Sequence, residues 1–311
     1  MRRYASRRPT PPPARCTIDR VCAPANLRHA WHGLCRGKSI AQRRDGRGVD
    51  GVSIDRWAAD APARLERLAR RLRSGRYRPA PLLPVRIAKP GRDETRLLRI
   101  PTVTDRVAQR AVLNVLGAIW EQRFLSCSHG FRPGRSTTTA VVHVLLHRQR
   151  GLGWALRTDI DDCFGSIPHA PLLAQVRATT DRAVWRTLAA WVAQGSSPSP
   201  GRRGARPRGL AQGAPISPLL ANIYLDPLDA ALVARGLAPV RYGDDIAVLC
   251  ADPHEARWAF CCLVEALDAL ELAIQPAKTA IRRVEGMRFL GARFVREEGE
   301  PTGRWRSKPI A

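Results

Sequence analysis

Two short acidic runs, each closing an apolar segment, narrow the folds open to this chain more than its size does. Asp159 follows Trp154-Ala155-Leu156-Arg157-Thr158 and leads into Ile160-Asp161-Asp162; Gly243-Asp244-Asp245 sits between Arg241-Tyr242 and Ile246-Ala247-Val248-Leu249. Alternating β-branched and apolar residues on either side predict a strand at 154–160 and a hairpin at 240–250 with a polar tip. Adjacent aspartates in a turn are common solvated turn chemistry. A hairpin tip bearing two of them beside a strand end bearing a third is a different matter, because it gathers hard oxygen ligands of the kind Mg²⁺ takes. Two such ions about 3.5–4 Å apart activate a hydroxyl and stabilise the leaving group in phosphoryl or nucleotidyl transfer. Asp159, Asp244 and Asp245 are therefore the candidate catalytic and metal-binding residues.

The charge balance agrees with a polyanionic substrate. Lys and Arg number 52 against 27 Asp and Glu, a net charge of +25, which points to nucleic acid. Arginine-rich coding alone explains the scarcity of lysine but not the excess of cations over anions. The cysteines show no C-x-x-C pairing, so neither a zinc ribbon nor a secreted disulfide framework is indicated, and reduced core cysteines in a cytoplasmic protein are expected. No apolar run reaches membrane-spanning length, so no membrane partner is expected. The Arg-rich start lacks an apolar stretch and reads as a basic arm rather than a secretory signal; a transit peptide is the weaker alternative.

Between these landmarks the pattern is mixed α and β. Residues 26–75 read as helical, with a helix opened at Pro62 and ended by Gly75. Val85–Lys89 and Arg96–Ile100 predict two strands around Pro90-Gly91, and Asp105–Phe124 has helical spacing. Gly195–Gly209, rich in Pro and Arg, predicts a mobile loop whose arginines are solvated. Pro218 opens an apolar helix, Asp252-Pro253-His254-Glu255 is a capping signal, and Met287–Phe294 predicts a closing strand pair.

With these segments in order, the sequence resembles the reverse transcriptase family, specifically the bacterial group II intron lineage. The resemblance is carried by Gly48–Trp57, Arg96–Leu116, Ser128–Val141, Thr158–His169, Gly209–Asp229, Arg241–Val248, Lys278 and Met287–Phe294. It implies an α+β, right-hand polymerase of fingers and palm, an antiparallel palm sheet packed on helices, with the thumb absent or truncated. The implied division is a disordered basic arm (1–25), an N-terminal helical extension (26–88), a fingers–palm domain (89–295) and a short C-terminal tail (296–311). The implied activity is RNA-directed DNA synthesis with two Mg²⁺ ions, Mn²⁺ being a possible substitute, on an RNA template and primer with deoxynucleoside triphosphates.

By position, Asp159, Asp244, Asp245 and the Ile160 carbonyl would hold the metals. Lys89 and Arg96 would grip the triphosphate, Arg as a planar fork and Lys as a point charge. Phe164 would be the ring that excludes a 2′-hydroxyl, Gln212-Gly213 the turn beneath the nascent base pair, and Lys278 a proton donor near the pyrophosphate. Gly243 stands where the lineage usually has alanine, a glycine also found in viral RNA-dependent RNA polymerases, and Gly165 replaces a common aspartate. The finger segment at Arg99–Leu116 is similar to the CRISPR-associated branch. That similarity implies spacer acquisition beside an integrase complex, or phage defence, with a partner supplying thumb-like contacts. An RNA-dependent RNA polymerase and a catalytically silent RNA-binding scaffold remain the alternatives.

Overall fold

In the computed structural model, which describes residues 14–88, 95–195, 206–296 and 305–309, the N-terminal part is helical. Thr17 caps α1 (Ile18–Val21), α2 (Pro24–Cys35) opens on proline, and Ser39 with Gln42 forms a capping box on α3 (Ile40–Asp45). Two further helices follow, α4 (Ile54–Ala58) and α5 (Ala61–Arg73). Leu65, Leu68 and Leu72 line the buried stripe of α5 while its arginines face outward, as the sequence pattern predicts. The expected arm is shorter than residues 1–25. Cys16 is fully buried and exchanges backbone hydrogen bonds with Thr179 and Asp181, and one Asp181 oxygen accepts from the Ile18 amide at 2.6 Å. Local composition gives no sign of this docking, because the partner lies more than 160 residues away.

Strands β1 (Leu83–Ala88) and β2 (Thr95–Ile100) pair antiparallel, Leu83 opposite Ile100 and Ala88 opposite Thr95. The hairpin is thus one unit, and the expected boundary at 88/89 cuts through it; the tip, with Lys89, lies outside the described residues. Helix α6 (Val103–Glu121) is capped by Thr102 and packs on α2, where Asn26 bonds the Ala111 carbonyl and Asn114 at 2.9 Å each. Beneath its first turn, Asp105 is buried and accepts from Tyr77 Oη, from Thr102 Oγ1 at 2.7 Å and from the Ala80 amide at 3.1 Å. Trp191 Nε1 donates to the same Tyr77 oxygen at 3.1 Å. Removing that oxygen with Tyr77→Phe strands both a carboxylate oxygen and an indole N–H. The expected cost is about 1–3 kcal/mol, seen as a lower urea midpoint at unchanged m.

Helix α7 (Thr137–Gln149) precedes β3 (Trp154–Asp159), and three helices follow: α8 (Cys163–Ser166), α9 (His169–Arg177) and α10 (Arg182–Gln194). Residues 196–205 lie outside the described set, but Arg208, expected to be solvated, pairs with Glu271 and bonds the Ser166 carbonyl. The apolar helix α11 (Ser217–Ala234) then leads into the hairpin β4 (Ala238–Tyr242) and β5 (Asp245–Cys250). Asp252 caps α12 (Pro253–Ala269) through the His254 and Glu255 amides.

Strand β6 (Ala280–Arg283) completes an antiparallel sheet of order β4-β5-β3-β6. Strands β7 (Arg288–Phe289), β8 (Ala292–Arg296) and β9 (Trp305–Pro309) form a second, three-stranded antiparallel sheet. The segment expected to be a tail therefore contributes a strand, Phe294 lying opposite Ser307.

Strands β4, β5 and β3 of the central sheet pack on both faces, while the edge strand β6 is largely exposed. Leu156, Ile246 and Val248 face the larger core shared with α11 and α12; Ala155, Val240, Ala247 and Leu249 face α7 and the small sheet through Val144, Met287 and Phe294. This is the expected α+β arrangement of fingers and palm, with the strand that ends in Asp159 in the interior of the sheet. Among the described residues no helix is long and apolar enough to cross a membrane.

Candidate active site

Sheet register brings the acids together. Asp159, the last residue of β3, lies directly opposite Asp245, the first of β5, and Tyr242 lies opposite Asp245 across the β4–β5 turn. The turn is the two residues Gly243-Asp244, and Gly243 has φ +66, the position where a type II′ hairpin takes glycine. The Ile160 amide donates to the Asp244 carbonyl at 3.1 Å, which ties the end of β3 to the turn. The segment after α12 closes the other side: Gln275 N donates to the Asp159 carbonyl at 2.8 Å, and the Thr158 and Thr279 hydroxyls meet at 2.7 Å. This stitching places Lys278 on Asp159, its ammonium bonded to Oδ2.

The carboxylates are poorly solvated. Burial raises the pKa of Asp244 above the usual carboxylate range, and Asp245 beside it adds to the rise while Arg96 opposes it. Burial also raises Asp245, against the pull of the Arg157 guanidinium 3.6 Å away. Asp159 is 5% exposed, and its Oδ1 is buried without a hydrogen-bond partner. Three hard-oxygen groups at one end of the sheet, one with an unpartnered buried oxygen, are of the chemistry that divalent cations take. As they stand they do not close on one: among the described residues no three His, Cys, Asp or Glu side chains are grouped tightly enough to hold an ion. Lys278 meets Asp159 through Oδ2, and Arg157 lies 3.6 Å from Asp245.

The other expected residues surround this centre. Phe164, at the start of α8, is half-buried against the larger core, and its carbonyl accepts from Leu210 N at 2.7 Å. Gln212 O accepts from Arg99 N of β2 at 2.7 Å, and Gly213 lies at φ +105, a backbone conformation that favours glycine. The turn expected beneath the base pair is thus joined to the β1–β2 hairpin, on which Arg96 sits near enough to act on Asp244.

Sequence reasoning missed what holds the turn. Arg241 is fully buried and donates from Nε and Nη2 to both oxygens of the equally buried Asp229 (2.8 and 2.5 Å). Its Nη1 reaches Asn222 Oδ1 at 2.9 Å and the Gly243 carbonyl at 3.1 Å, and Nη2 reaches Ser128 Oγ at 2.9 Å. Asn222 donates in turn to Gly130 O at 2.7 Å, and Gly130 packs so tightly that a Cβ there would lie 2.4 Å from Gly243 N. One guanidinium therefore joins α11, the loop before α7 and the acidic turn. The available signal was a lone Arg in an apolar strand and two aspartates, Asp226 and Asp229, in an otherwise apolar helix, since buried charges require partners.

Comparison with known proteins agrees with this geometry. The family described as reverse transcriptase (RNA-dependent DNA polymerase) matches residues 87–294. Protein YkfC of Escherichia coli (strain K12) is 36% identical over 196 residues, 61% of this chain and 51% of that protein. The group II intron-encoded protein LtrA of Lactococcus lactis subsp. cremoris is 32% identical over 184 residues, 59% of this chain and 31% of that protein. The chain thus spans about half of the first relative and less of the second. Among solved structures, a chain of the partial Cas6-RT-Cas1–Cas2 complex aligns at 25% identity with a TM-score of 0.43, covering 81% of this chain and 41% of that one.

Proposed function

The chain belongs to the reverse transcriptase family, and from that premise we propose that it extends a primer on an RNA template with deoxynucleoside triphosphates. The observation that carries this reading is the cross-strand pair Asp159–Asp245 with Asp244 at the adjoining turn, three carboxylates gathered at one end of the central sheet. Asp159, Asp244, Asp245 and the Ile160 carbonyl are the groups that would hold Mg²⁺. Bound there, such ions supply positive charge to the attacking and leaving oxygens of an in-line displacement.

The remaining work falls to the protein. Arg96, with Lys89 outside the described residues, binds the triphosphate oxygens and orients the reacting phosphorus. Lys278 leaves Asp159 when the site fills and donates a proton or a hydrogen bond to the departing pyrophosphate. Phe164 stands under the sugar and excludes a 2′-hydroxyl. Gln212-Gly213 supports the nascent pair through backbone that glycine allows to approach closely. As the setting, we extend the proposal to an integrase partner in CRISPR spacer acquisition, on the resemblance of Arg99–Leu116; co-purification with such an integrase tests it.

Single-nucleotide extension of a primed RNA template tests the function. Template-matched deoxynucleotide addition in Mg²⁺ is the expected result. Preference for ribonucleotides would make the chain an RNA polymerase, and salt-sensitive RNA binding without extension would make it a scaffold. Metal binding has its own readout: millimolar Mg²⁺ raises the melting temperature, because a ligand that binds only the native state stabilises it. That shift shrinks as the pH falls, because Asp244 and Asp245, with raised pKa values, take up protons that compete with the ion. A melting temperature indifferent to Mg²⁺ at neutral pH would count against the metal site.

A further inference from the structure

Phe131 is a bulky aromatic residue left 55% exposed beside the acids, and its backbone lies at φ +59. Left-handed backbone is costly for such a residue and persists where neighbours over-determine it. Both neighbours do so. Gly130 is wedged against the acidic turn and bonded by Asn222 at 2.7 Å. Arg132 is buried, paired with Glu121 at 2.7 Å and bonded to the carbonyls of Leu125 and Ser128 at 2.7 Å each. The backbone of Phe131 is thus held from both sides. That ring stands edge-on to Phe164, with centroids 6.5 Å apart and planes at 85°, and lies 6.2 Å from Tyr242. A methyl group on Gly243 would come within 3.2 Å of Phe131 Cε2.

We propose that Phe131 is a positioning residue for sugar selection: its ring braces Phe164 against the incoming sugar, and Gly243 makes room for the brace. Phe164 sits on a four-residue helix and is only half-buried, so its open side needs a second surface if the ring is to stay in place. The edge-to-face contact supplies one with a preferred direction. Glycine at 243 is already favoured by its φ of +66, and a Cβ there would in addition press on the brace. The inference rests on the polymerase reading and on Phe164 as the sugar-facing ring.

The test is the ratio of kcat/KM for a deoxynucleotide to that for its ribonucleotide on a primed RNA template. It is measured for the wild type, Phe131→Gly, Phe131→Tyr, Phe164→Ala and the Phe131→Gly/Phe164→Ala double variant. Glycine tolerates positive φ, so Phe131→Gly removes the ring without straining the fold, and a ratio is independent of the fraction of active protein. Phe131→Gly is expected to lower the ratio by about 10-fold, the scale of a modest pocket change. Phe131→Tyr should keep the ratio, and Phe131→Gly should add nothing on top of Phe164→Ala. An unchanged ratio in Phe131→Gly, or its full effect persisting in the double variant, overturns the brace. Absence of deoxynucleotide addition by the wild type overturns the polymerase reading and the brace with it; normal addition with an unchanged ratio overturns the brace alone.

Discussion

Asp244→Asn should abolish primer extension, lowering kcat by about 10³-fold or more, the scale of losing a principal electrostatic contact to the transition state. Template affinity should barely change, because it depends on many phosphate contacts rather than on one acid. The same variant should melt at a higher temperature than the wild type in metal-free buffer near neutral pH. The sign follows from burial. Asp244 has a raised pKa in the folded chain, so the native state binds its proton more tightly than the unfolded state does. Its contribution to stability is therefore greatest at low pH and is lost as the pH climbs through the ordinary carboxylate range to the raised native value. Asparagine carries no such burden, so the gap in melting temperature should open with rising pH and close below about pH 4. Calorimetry at two pH values decides it. A variant that still extends primers would remove Asp244 from the site, and one less stable than wild type at neutral pH would contradict the electrostatic reading.

Replacing Arg241 should cost more stability than any surface charge. Arg241→Met leaves the Asp229 carboxylate 1% exposed with its guanidinium gone, and breaking a buried pair in this way costs about 3–5 kcal/mol. Urea unfolding should show that loss. The double variant Arg241→Met/Asp229→Leu removes both charges and should recover much of it, yet extension should stay impaired because the Gly243 carbonyl has lost its donor. Recovery of full activity with stability would reduce Arg241 to a packing residue.

The local parts of the site were legible in the sequence. Apolar strands with a polar tip announced the β4–β5 hairpin, and the turn chemistry around Asp252 announced α12. These signals are short-range and rest on periodicity and capping. What could not be read was pairing across distance. That Asp159 faces Asp245 is a matter of register between strands separated by several helices. The Cys16 contact with Thr179 and the strand at Trp305–Pro309 carry no pattern strong enough to name a partner. Lys278 illustrates both sides: the resemblance singled it out, but only the fold shows its ammonium on Asp159. The expected triphosphate grip is divided, with Arg96 placed by the hairpin and Lys89 outside the described residues.

The network around Arg241 also bears on the order in which the chain folds. Its bond to Ser128 spans 113 residues, and the link from Asn222 to Gly130 spans 92. Contacts of such separation form late, since loop-closure entropy is spent before they return any stability. Arg241 reaches Asp229 and the Gly243 carbonyl over 12 residues or fewer, whereas Ser128 and Gly130 join the network only when the loop before α7 docks. Docking of the loop before α7 on the acidic turn is therefore expected to follow formation of the β4–β5 hairpin, an order that hydrogen exchange during refolding would reveal.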